Sequence, residues 1–269
     1  MRQLEQAFAS LEKTKHAGFI PFIVAGDPDL ETTLELLRAL SEAGATAIEL
    51  GVPFSDPAAD GPVIQRAGQR ALSRGVTLSD IFAMLAKNRS EISAPLVLFG
   101  YYNPVLQFGL RKFADAARRC GVAGVLITDL PAEAAEPLRA LLHERDIDLI
   151  FLVAPTTSDA RLRQIAGIAS GFVYAVARTG VTGTHRELQD ESETLVRRVR
   201  SVTDLPVAVG FGITDRARAR AVVRYADAAV VGSRLVAEIE TATAEPKWRR
   251  KAIVQRITEC AGEFTNLKK

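Results

Sequence analysis

Short apolar runs alternate along the chain with longer stretches whose apolar residues recur at helical spacing. In the segment 30–44, for example, Leu34, Leu37 and Leu40 fall on one face of a helix. The short runs are rich in valine, isoleucine and phenylalanine, which favour strands, and they are apolar on both faces. Eight runs have this pattern and are predicted strands: 19–26, 47–53, 95–101, 124–131, 148–155, 172–178, 206–212 and 228–233.

Eight such strands, each followed by a helix, predict an α/β fold, a single-domain (β/α)8 TIM barrel with a parallel sheet. An open doubly wound sheet is the alternative, but no GxGxxG turn follows the first predicted strand. Residues 2–13 are predicted to form an N-terminal helix that caps the barrel bottom, and 247–263 an extra C-terminal helix. No Ser/Gly-rich linker interrupts the chain, so we expect one domain over residues 1–269.

Three glycines mark predicted helix ends. Gly44, Gly121 and Gly167 stand where helices should stop. Glycine is common there because it adopts the left-handed backbone conformation without strain. We expect that conformation at all three positions.

Composition and charge exclude several classes of function. The 269 residues carry a formal net charge of +2 and no run of like charge, so there is no basic footprint for nucleic acid. No apolar stretch reaches the roughly 18 residues of a membrane span, and the polar start is not a signal peptide. Cys120 and Cys260 are isolated, which predicts buried thiols rather than a disulfide or zinc site. We expect a cytoplasmic protein.

A carboxylate interrupts the second predicted strand, in the stretch ATAIELGVPFSDPAADGPVIQ (45–65). Because side chains alternate along a strand, the bulky Ile48 and Leu50 should face the helices, and Glu49 should face the barrel interior. A buried carboxylate is unfavourable unless it is paired or protonated, and such groups cluster at functional sites. The alternative is an ion pair inside the barrel, but no predicted strand carries an arginine before Arg178.

The loop after this strand holds two aspartates among prolines. Pro53, Pro57 and Pro62 each fix a φ angle and stiffen the loop, which can then hold Asp56 or Asp60 at a defined place over the barrel mouth. The alternative is that Asp60 only caps the helix that follows it.

Glycine-bearing turns follow the last three strands, at 178–183 (RTGVTG), 210–212 (GFG) and 232–233 (GS). Barrel enzymes commonly bind phosphate with these loops and a nearby helix N-terminus, where backbone N–H groups can approach the oxygens. The turns together predict a phosphorylated ligand.

Two classes of reaction are disfavoured because the residue types they need are absent from the predicted strand ends. No lysine lies in or just after a predicted strand, as a Schiff-base aldolase requires. His16, His143 and His185 are far apart in the sequence, and clustered metal ligands are not evident. Carboxylates remain, so the pattern favours metal-free proton transfer by Glu49 and one aspartate.

Seven motifs in the chain point to a known family: IPFIVAGDP (20–28), ELGVPFSDPAADGPVIQ (49–65), YYNP (101–104), TDLP (128–131), ARTGVTG (177–183), VGFGI (209–213) and VGS (231–233). Through them the chain resembles, over essentially its whole length, the tryptophan synthase alpha chain family. The resemblance implies retro-aldol cleavage of indole-3-glycerol phosphate to indole and D-glyceraldehyde 3-phosphate, a lyase reaction of L-tryptophan biosynthesis. Two rival functions stay open: a stand-alone indole-3-glycerol-phosphate lyase, and a non-catalytic partner subunit, against which the intact Glu49 and Asp60 argue.

The resemblance also implies roles for individual residues. Glu49 protonates indole C3 and then takes a proton from the side-chain hydroxyl, while Asp60 stabilises the positive charge that develops at the indole N–H. The implied indole pocket, each member of which taken alone is more often core than pocket, is Phe22, Phe99, Tyr101, Leu126, Leu152, Tyr174 and Phe211. The implied phosphate and lid positions are Thr182, Gly183, Gly210, Gly212, Gly232 and Ser233.

The family further implies a partner. A beta subunit, which carries pyridoxal phosphate, would complete an alpha2beta2 heterotetramer, and no cofactor is expected in this chain. The chain departs from the family pattern at Ala58, Ala177, Thr128 and Arg234; Arg234 could place charge near the phosphate or could simply be solvated. The implied partner interface is Pro53, Asp56, Asn103, Pro104 and Asp129.

Overall fold

Eight parallel strands close a barrel in the part of the chain that the computed structural model describes, residues 1–176, 185–210, 212–245 and 247–268, with 185–190 described by backbone alone. Each strand pairs with the next along the chain, and the first pairs with both the second and the eighth. The ring consists of β1 (His16–Val24), β2 (Ile48–Gly51), β3 (Leu96–Gly100), β4 (Val122–Ile127), β5 (Asp148–Val153), β6 (Val173–Val176), β7 (Val207–Gly210) and β8 (Ala228–Val231).

The predicted TIM barrel is therefore confirmed, and the open sheet is wrong. A two-residue strand, β9 (Leu267–Lys268), was not predicted and pairs antiparallel with the start of β1, outside the ring. Its shortness explains the omission, since two residues show no alternation of apolar and polar positions.

Helices surround the ring. One further helix precedes the first strand, and another follows the last barrel helix near the C-terminus. Several begin at a side-chain cap; for example, the Asp29 carboxylate accepts the backbone N–H of Thr32 at 2.7 Å. The helices are α1 (Gln3–Thr14), α2 (Leu30–Glu42), α3 (Pro62–Ser73), α4 (Leu78–Lys87), α5 (Tyr102–Phe108), α6 (Leu110–Arg119), α7 (Glu136–His143), α8 (Asp159–Ala166), α9 (His185–Arg200), α10 (Arg216–Val222), α11 (Ser233–Thr243) and α12 (Arg250–Gly262), with 3-10 turns at Arg89–Glu91 and Ala132–Ala134.

The terminal helices agree with the sequence predictions, and two of the three glycine predictions hold. Gly44 and Gly121 have φ values of +90° and +73° just past α2 and α6. The prediction is wrong for Gly167, whose φ is −73°. Its N–H still bonds the carbonyl of Arg163, and the next residues continue a helical turn, so no left-handed residue is needed there.

Two apolar layers meet at the barrel wall. Ile48 and Leu50 of β2 pack with the surrounding helices, whereas Ala47 packs in the barrel interior, as the alternation predicts. At the end of the barrel where the strands begin, Leu4 and Phe8 of α1 pack into the interior layer. No helix of the described residues is long and apolar enough to cross a membrane. Both cysteines are buried and free, as predicted.

Candidate active site

Glu49 is the second residue of β2 and lies in register with Phe22 of β1 and Val97 of β3. All three side chains point into the barrel, and Glu49 has no exposed surface. Neither of its carboxylate oxygens has a hydrogen-bond partner among the described residues. The alternative of an internal ion pair is therefore not supported by any described arginine, and Arg178 lies outside the described residues.

Burial determines the ionisation of Glu49. Removal from water raises the pKa of its carboxyl from an ordinary value of 4.5 to about 8. At neutral pH the group is therefore largely protonated and can donate a proton. Once it has done so, the resulting carboxylate is a strong base in the same apolar surroundings.

Tyr174 of β6 shares the interior with Glu49. Burial, and secondarily the negative charge of Glu49, raise the pKa of the Tyr174 hydroxyl well above its ordinary value. A Cβ atom at Gly210 would lie only 2.0 Å from the Tyr174 Oη. Glycine at position 210 therefore makes room for this hydroxyl.

Asp60 lies in the loop between β2 and α3 and is hydrogen-bonded by Tyr101, the residue that follows β3. The Tyr101 hydroxyl donates to Asp60 Oδ2 at 3.0 Å and accepts the N–H of Ala59, also at 3.0 Å. Burial raises the pKa of the Asp60 carboxyl, and the hydrogen bond from Tyr101 partly offsets this. The capping alternative is wrong, because the N-cap of α3 is Gly61 and no side-chain hydrogen bond caps this helix.

An apolar cleft opens beside Asp60. Three of the seven predicted indole residues line it, Phe22, Phe99 and Tyr101, and the rings of Phe22 and Phe99 meet edge to face with centroids 5.3 Å apart. Leu126, Leu152 and Tyr174 contribute to the interior layer instead and are not part of the cleft wall that the described residues form. Phe211 lies outside the described residues.

The cleft also has walls that the sequence reasoning missed. Phe54, whose ring lies 5.1 Å from that of Tyr101, and Ile64 of α3 both line it. A signal for both exists in the sequence, since Phe54 lies within the proline-rich loop and Ile64 lies in the first turn of the helix that follows Asp60.

Of the predicted phosphate positions that are described, Gly210 is the last residue of β7 and the others follow β7 and β8. Gly212 has φ of +73° and open space around its Cα, and the Arg218 side chain of α10 donates to its carbonyl at 2.9 Å. Gly232 and Ser233 are the N-cap and first residue of α11, so unpaired backbone N–H groups lie there. Thr182 and Gly183, like the departure Ala177, lie outside the described residues.

The other three residues that depart from the family pattern lie within the described residues. Arg234 forms an ion pair with Glu238 one turn further along α11, at 2.5 Å, so its charge is directed away from the helix N-terminus. Thr128 donates to the carbonyl of Gly100 and thereby supports the residue before Tyr101. Ala58 is exposed on the loop.

The predicted partner residues lie on one rim, in the segments that follow β2, β3 and β4. Asp56, Asn103 and Asp129 are exposed, and Pro53 and Pro104 are half-buried. Asp129 accepts the N–H of Tyr102 at 2.7 Å and so fixes the start of α5. On the same helix Leu106 keeps 50% of its surface exposed, which is unusual for a large apolar side chain in this protein.

Comparison with known proteins places this geometry in a family. The family described as "Tryptophan synthase alpha chain" matches residues 8–268. The tryptophan synthase alpha chain of Thiobacillus denitrificans is 49% identical over 243 residues, 90% of this chain and 89% of that one. That of Neisseria meningitidis serogroup B is 45% identical over 260 residues, 96% and 99% of the two chains.

Solved structures agree with the sequence comparison. A chain in the aminoacrylate-bound crystal structure of tryptophan synthase from M. tuberculosis superposes with a TM-score of 0.87 at 33% identity, covering 100% of both chains. The alpha subunit from Legionella pneumophila gives 0.87 at 33% identity and 99% coverage of both.

Proposed function

The chain belongs to the tryptophan synthase alpha chain family, and we propose that Glu49 and Asp60 catalyse in it the cleavage of indole-3-glycerol phosphate to indole and D-glyceraldehyde 3-phosphate. The protein is a lyase of L-tryptophan biosynthesis. One observation carries the assignment: Glu49 is a fully buried carboxyl with a pKa near 8, directed into the mouth of a TIM barrel.

The reaction requires a proton at indole C3 before the carbon–carbon bond can break. Protonated Glu49 supplies it, and the ring becomes an iminium-like cation whose charge lies at the N–H. Asp60, held by Tyr101, stabilises that charge. The Glu49 carboxylate then removes the proton of the adjacent hydroxyl, the carbonyl forms, the bond to C3 breaks, and its electrons return to the ring as indole.

Substrate binding divides between two ends of the barrel mouth. The apolar cleft of Phe22, Phe54 and Phe99 receives the indole ring. Gly212 and the N-terminus of α11 receive the phosphate, since backbone N–H groups and the helix dipole favour an anion there.

A beta subunit is the partner of this family, and its pyridoxal phosphate is bound there rather than in the alpha chain. We propose that this chain forms an alpha2beta2 heterotetramer in the cytoplasm through the rim of Asp56, Asn103 and Asp129. The exposed Leu106 on α5 adds apolar surface to that rim. Indole could then pass directly between the two sites.

The catalytic assignment is tested by Glu49→Gln, which preserves shape and removes the proton. We expect kcat for indole release to fall by about 10²–10⁴-fold while the substrate still binds, because general acid–base catalysis typically contributes this much. Glu136→Gln, which changes an exposed carboxylate paired with Arg139 on α7, is the matched control and should leave kcat unchanged. Near-normal indole release by Glu49→Gln contradicts the mechanism.

The partner is tested by mixing the wild-type chain and indole-3-glycerol phosphate with and without a tryptophan synthase beta subunit, and measuring indole and tryptophan. We expect the beta subunit to raise the cleavage rate severalfold and tryptophan to replace free indole when serine is present. Equal rates with and without the beta subunit favour the stand-alone lyase. Absence of cleavage in both favours the non-catalytic subunit.

A further inference from the structure

Four charged side chains form a network behind the barrel mouth, outside the cleft. Arg70 of α3 donates from Nε and Nη2 to the two oxygens of Asp27, each at 2.8 Å. Its Nη1 donates to Glu240 of α11 at 2.8 Å. Arg66, one turn earlier on α3, donates twice to Glu240, at 2.7 and 2.8 Å. The network thus joins three elements: the segment after β1, α3 and α11.

The network is built around a buried group. Asp27 is 1% exposed, and burial raises the pKa of its carboxyl while Arg70 opposes that effect. Hydrogen bonds, first from Arg66 and then from Arg70, hold the pKa of Glu240 at about 2. The two carboxylates and two guanidinium groups balance in charge, so the arrangement is electrically complete without a ligand.

The packing of α3 explains why such a network is needed. The buried residues of this helix are Ala67, Gly68 and Ala71, which have little or no side chain to lock the helix against its neighbours. Small residues permit close approach but give little contact area to resist sliding. The bidentate contacts of Arg70 and Arg66 supply the fixed geometry instead.

Both helices that the network joins begin at the proposed active site. Asp60 lies two residues before the first residue of α3, and Gln65 in its first turn donates to the Asp60 carbonyl at 2.9 Å. Ser233, at the proposed phosphate position, is the first residue of α11. Arg70 and Glu240 each lie about two turns further along, at similar depth.

We propose that Arg70, held by Asp27 and Glu240, is a positioning residue that fixes the spacing between Asp60 and the phosphate-binding N-terminus of α11. This inference rests on the proposed function and adds to it how the two ends of the substrate are kept in register. A substrate that spans both ends requires that spacing, whereas a ligand that occupies only the phosphate end does not. A misplacement of about 1 Å can reduce a rate by as much as 10²-fold.

The test compares Glu240→Gln and Arg70→Gln with wild type. For each we expect kcat/KM for indole-3-glycerol phosphate to fall by about 10-fold, and more for Arg70→Gln, which also leaves Asp27 buried without its partner. The dissociation constant of D-glyceraldehyde 3-phosphate, which carries the phosphate but no indole, should change by less than about twofold. Arg139→Gln, which breaks an exposed bidentate pair with Glu136 on α7, is the matched control and should change neither quantity.

The outcomes separate this inference from the proposed function. If wild type does not cleave the substrate, the proposed function fails. If wild type cleaves it and Glu240→Gln retains kcat/KM within twofold, the positioning role fails alone. It also fails if glyceraldehyde 3-phosphate binding weakens in step with kcat/KM, since that result indicates general loosening of the barrel. Because Glu240 is partly exposed, its variant keeps the test valid even if Arg70→Gln does not fold.

Discussion

The two carboxyl groups of the proposed site differ in what surrounds them. Glu49 has apolar neighbours and no described hydrogen-bond partner, so burial acts unopposed on its pKa. Asp60 is less buried and receives a hydrogen bond from Tyr101, which stabilises its charged form. This difference in surroundings supports the two proposed tasks, proton transfer for Glu49 and charge stabilisation for Asp60.

The burial of Glu49 predicts a dependence of stability on pH. Its pKa is raised in the folded state, from 4.5 to about 8, so the folded protein retains a proton that the unfolded chain releases. The contribution of Glu49 to stability is therefore fully present below about pH 4.5 and is lost as pH rises through about 8. Glu49→Gln should remove this loss and be more stable than wild type at pH 9 by up to about 5 kcal/mol, with little difference at pH 4.

Urea unfolding of both proteins at the two pH values measures this difference. A constant difference between pH 4 and pH 9 would show that Glu49 is not buried in a protonated form.

Tyr101→Phe tests the support of Asp60. Loss of the hydroxyl removes a bond that favours the ionised carboxylate, so the pKa of Asp60 should rise. The acidic limb of the kcat/KM profile should then move to higher pH, with the rate at neutral pH falling by about 10-fold or less. Tyr102→Phe, on the next residue, is the control. An unmoved acidic limb would mean that Tyr101 does not set the ionisation of Asp60.

At the scale of elements, sequence reasoning succeeds where a signal is local. The alternation in β2 indicates that Glu49 faces the interior while Ile48 and Leu50 face the helices, and the structure agrees. It fails where partners are distant, since Tyr101 is 41 residues from Asp60 and Arg70 is 170 residues from Glu240. No periodicity encodes such contacts; they depend on how the barrel brings separate loops together.

Two residues make contacts in the structure that their sequence context does not predict. Gly210 has the sequence context of a phosphate turn, but its missing side chain accommodates the Tyr174 hydroxyl. Tyr101 was predicted as a pocket wall, and its hydroxyl also holds Asp60. In both cases the residue makes a contact with a separate strand or loop that the sequence pattern does not indicate.

The turn after β7 gives a prediction at the element scale. Gly212 has φ of +73°, a conformation that a β-branched residue adopts only with strain, and Arg218 bonds its carbonyl. Gly212→Val should displace the backbone N–H groups proposed to bind phosphate. We expect the KM for indole-3-glycerol phosphate and the dissociation constant of glyceraldehyde 3-phosphate to rise by about 10-fold or more, as for the loss of one charge-assisted hydrogen bond.

A matched substitution separates strain from binding. Gly75 has a similar φ of +74° and open space around it, at the far end of α3. Gly75→Val should destabilise the protein without weakening the binding of the phosphorylated ligand. If both variants bind it equally well, the phosphate site lies elsewhere.

Across the whole molecule the two ends of the barrel have separate tasks. The loops at the carboxyl ends of the strands carry the proposed chemistry and the partner rim, as in other barrels of this type. The opposite end is closed by α1, whose Leu4 and Phe8 are buried in the barrel interior. Arg2, just before α1, donates to the buried Asp148 carboxylate at 2.7 Å and so attaches this helix to the start of β5.

This division predicts that the bottom of the barrel governs stability without governing catalysis. Arg2→Ala leaves Asp148, which is 1% exposed, without its cationic partner. Breaking a fully buried pair costs about 3–5 kcal/mol, and because Arg2 is partly exposed we expect a loss of about 2 kcal/mol in the free energy of unfolding. Below the unfolding transition, kcat/KM should stay within about twofold of wild type. In an Asp148→Asn background the same substitution should cost less, since no buried charge remains to be compensated. A large fall in kcat/KM with unchanged stability would show that the two ends of the barrel are coupled and that their tasks are not separate.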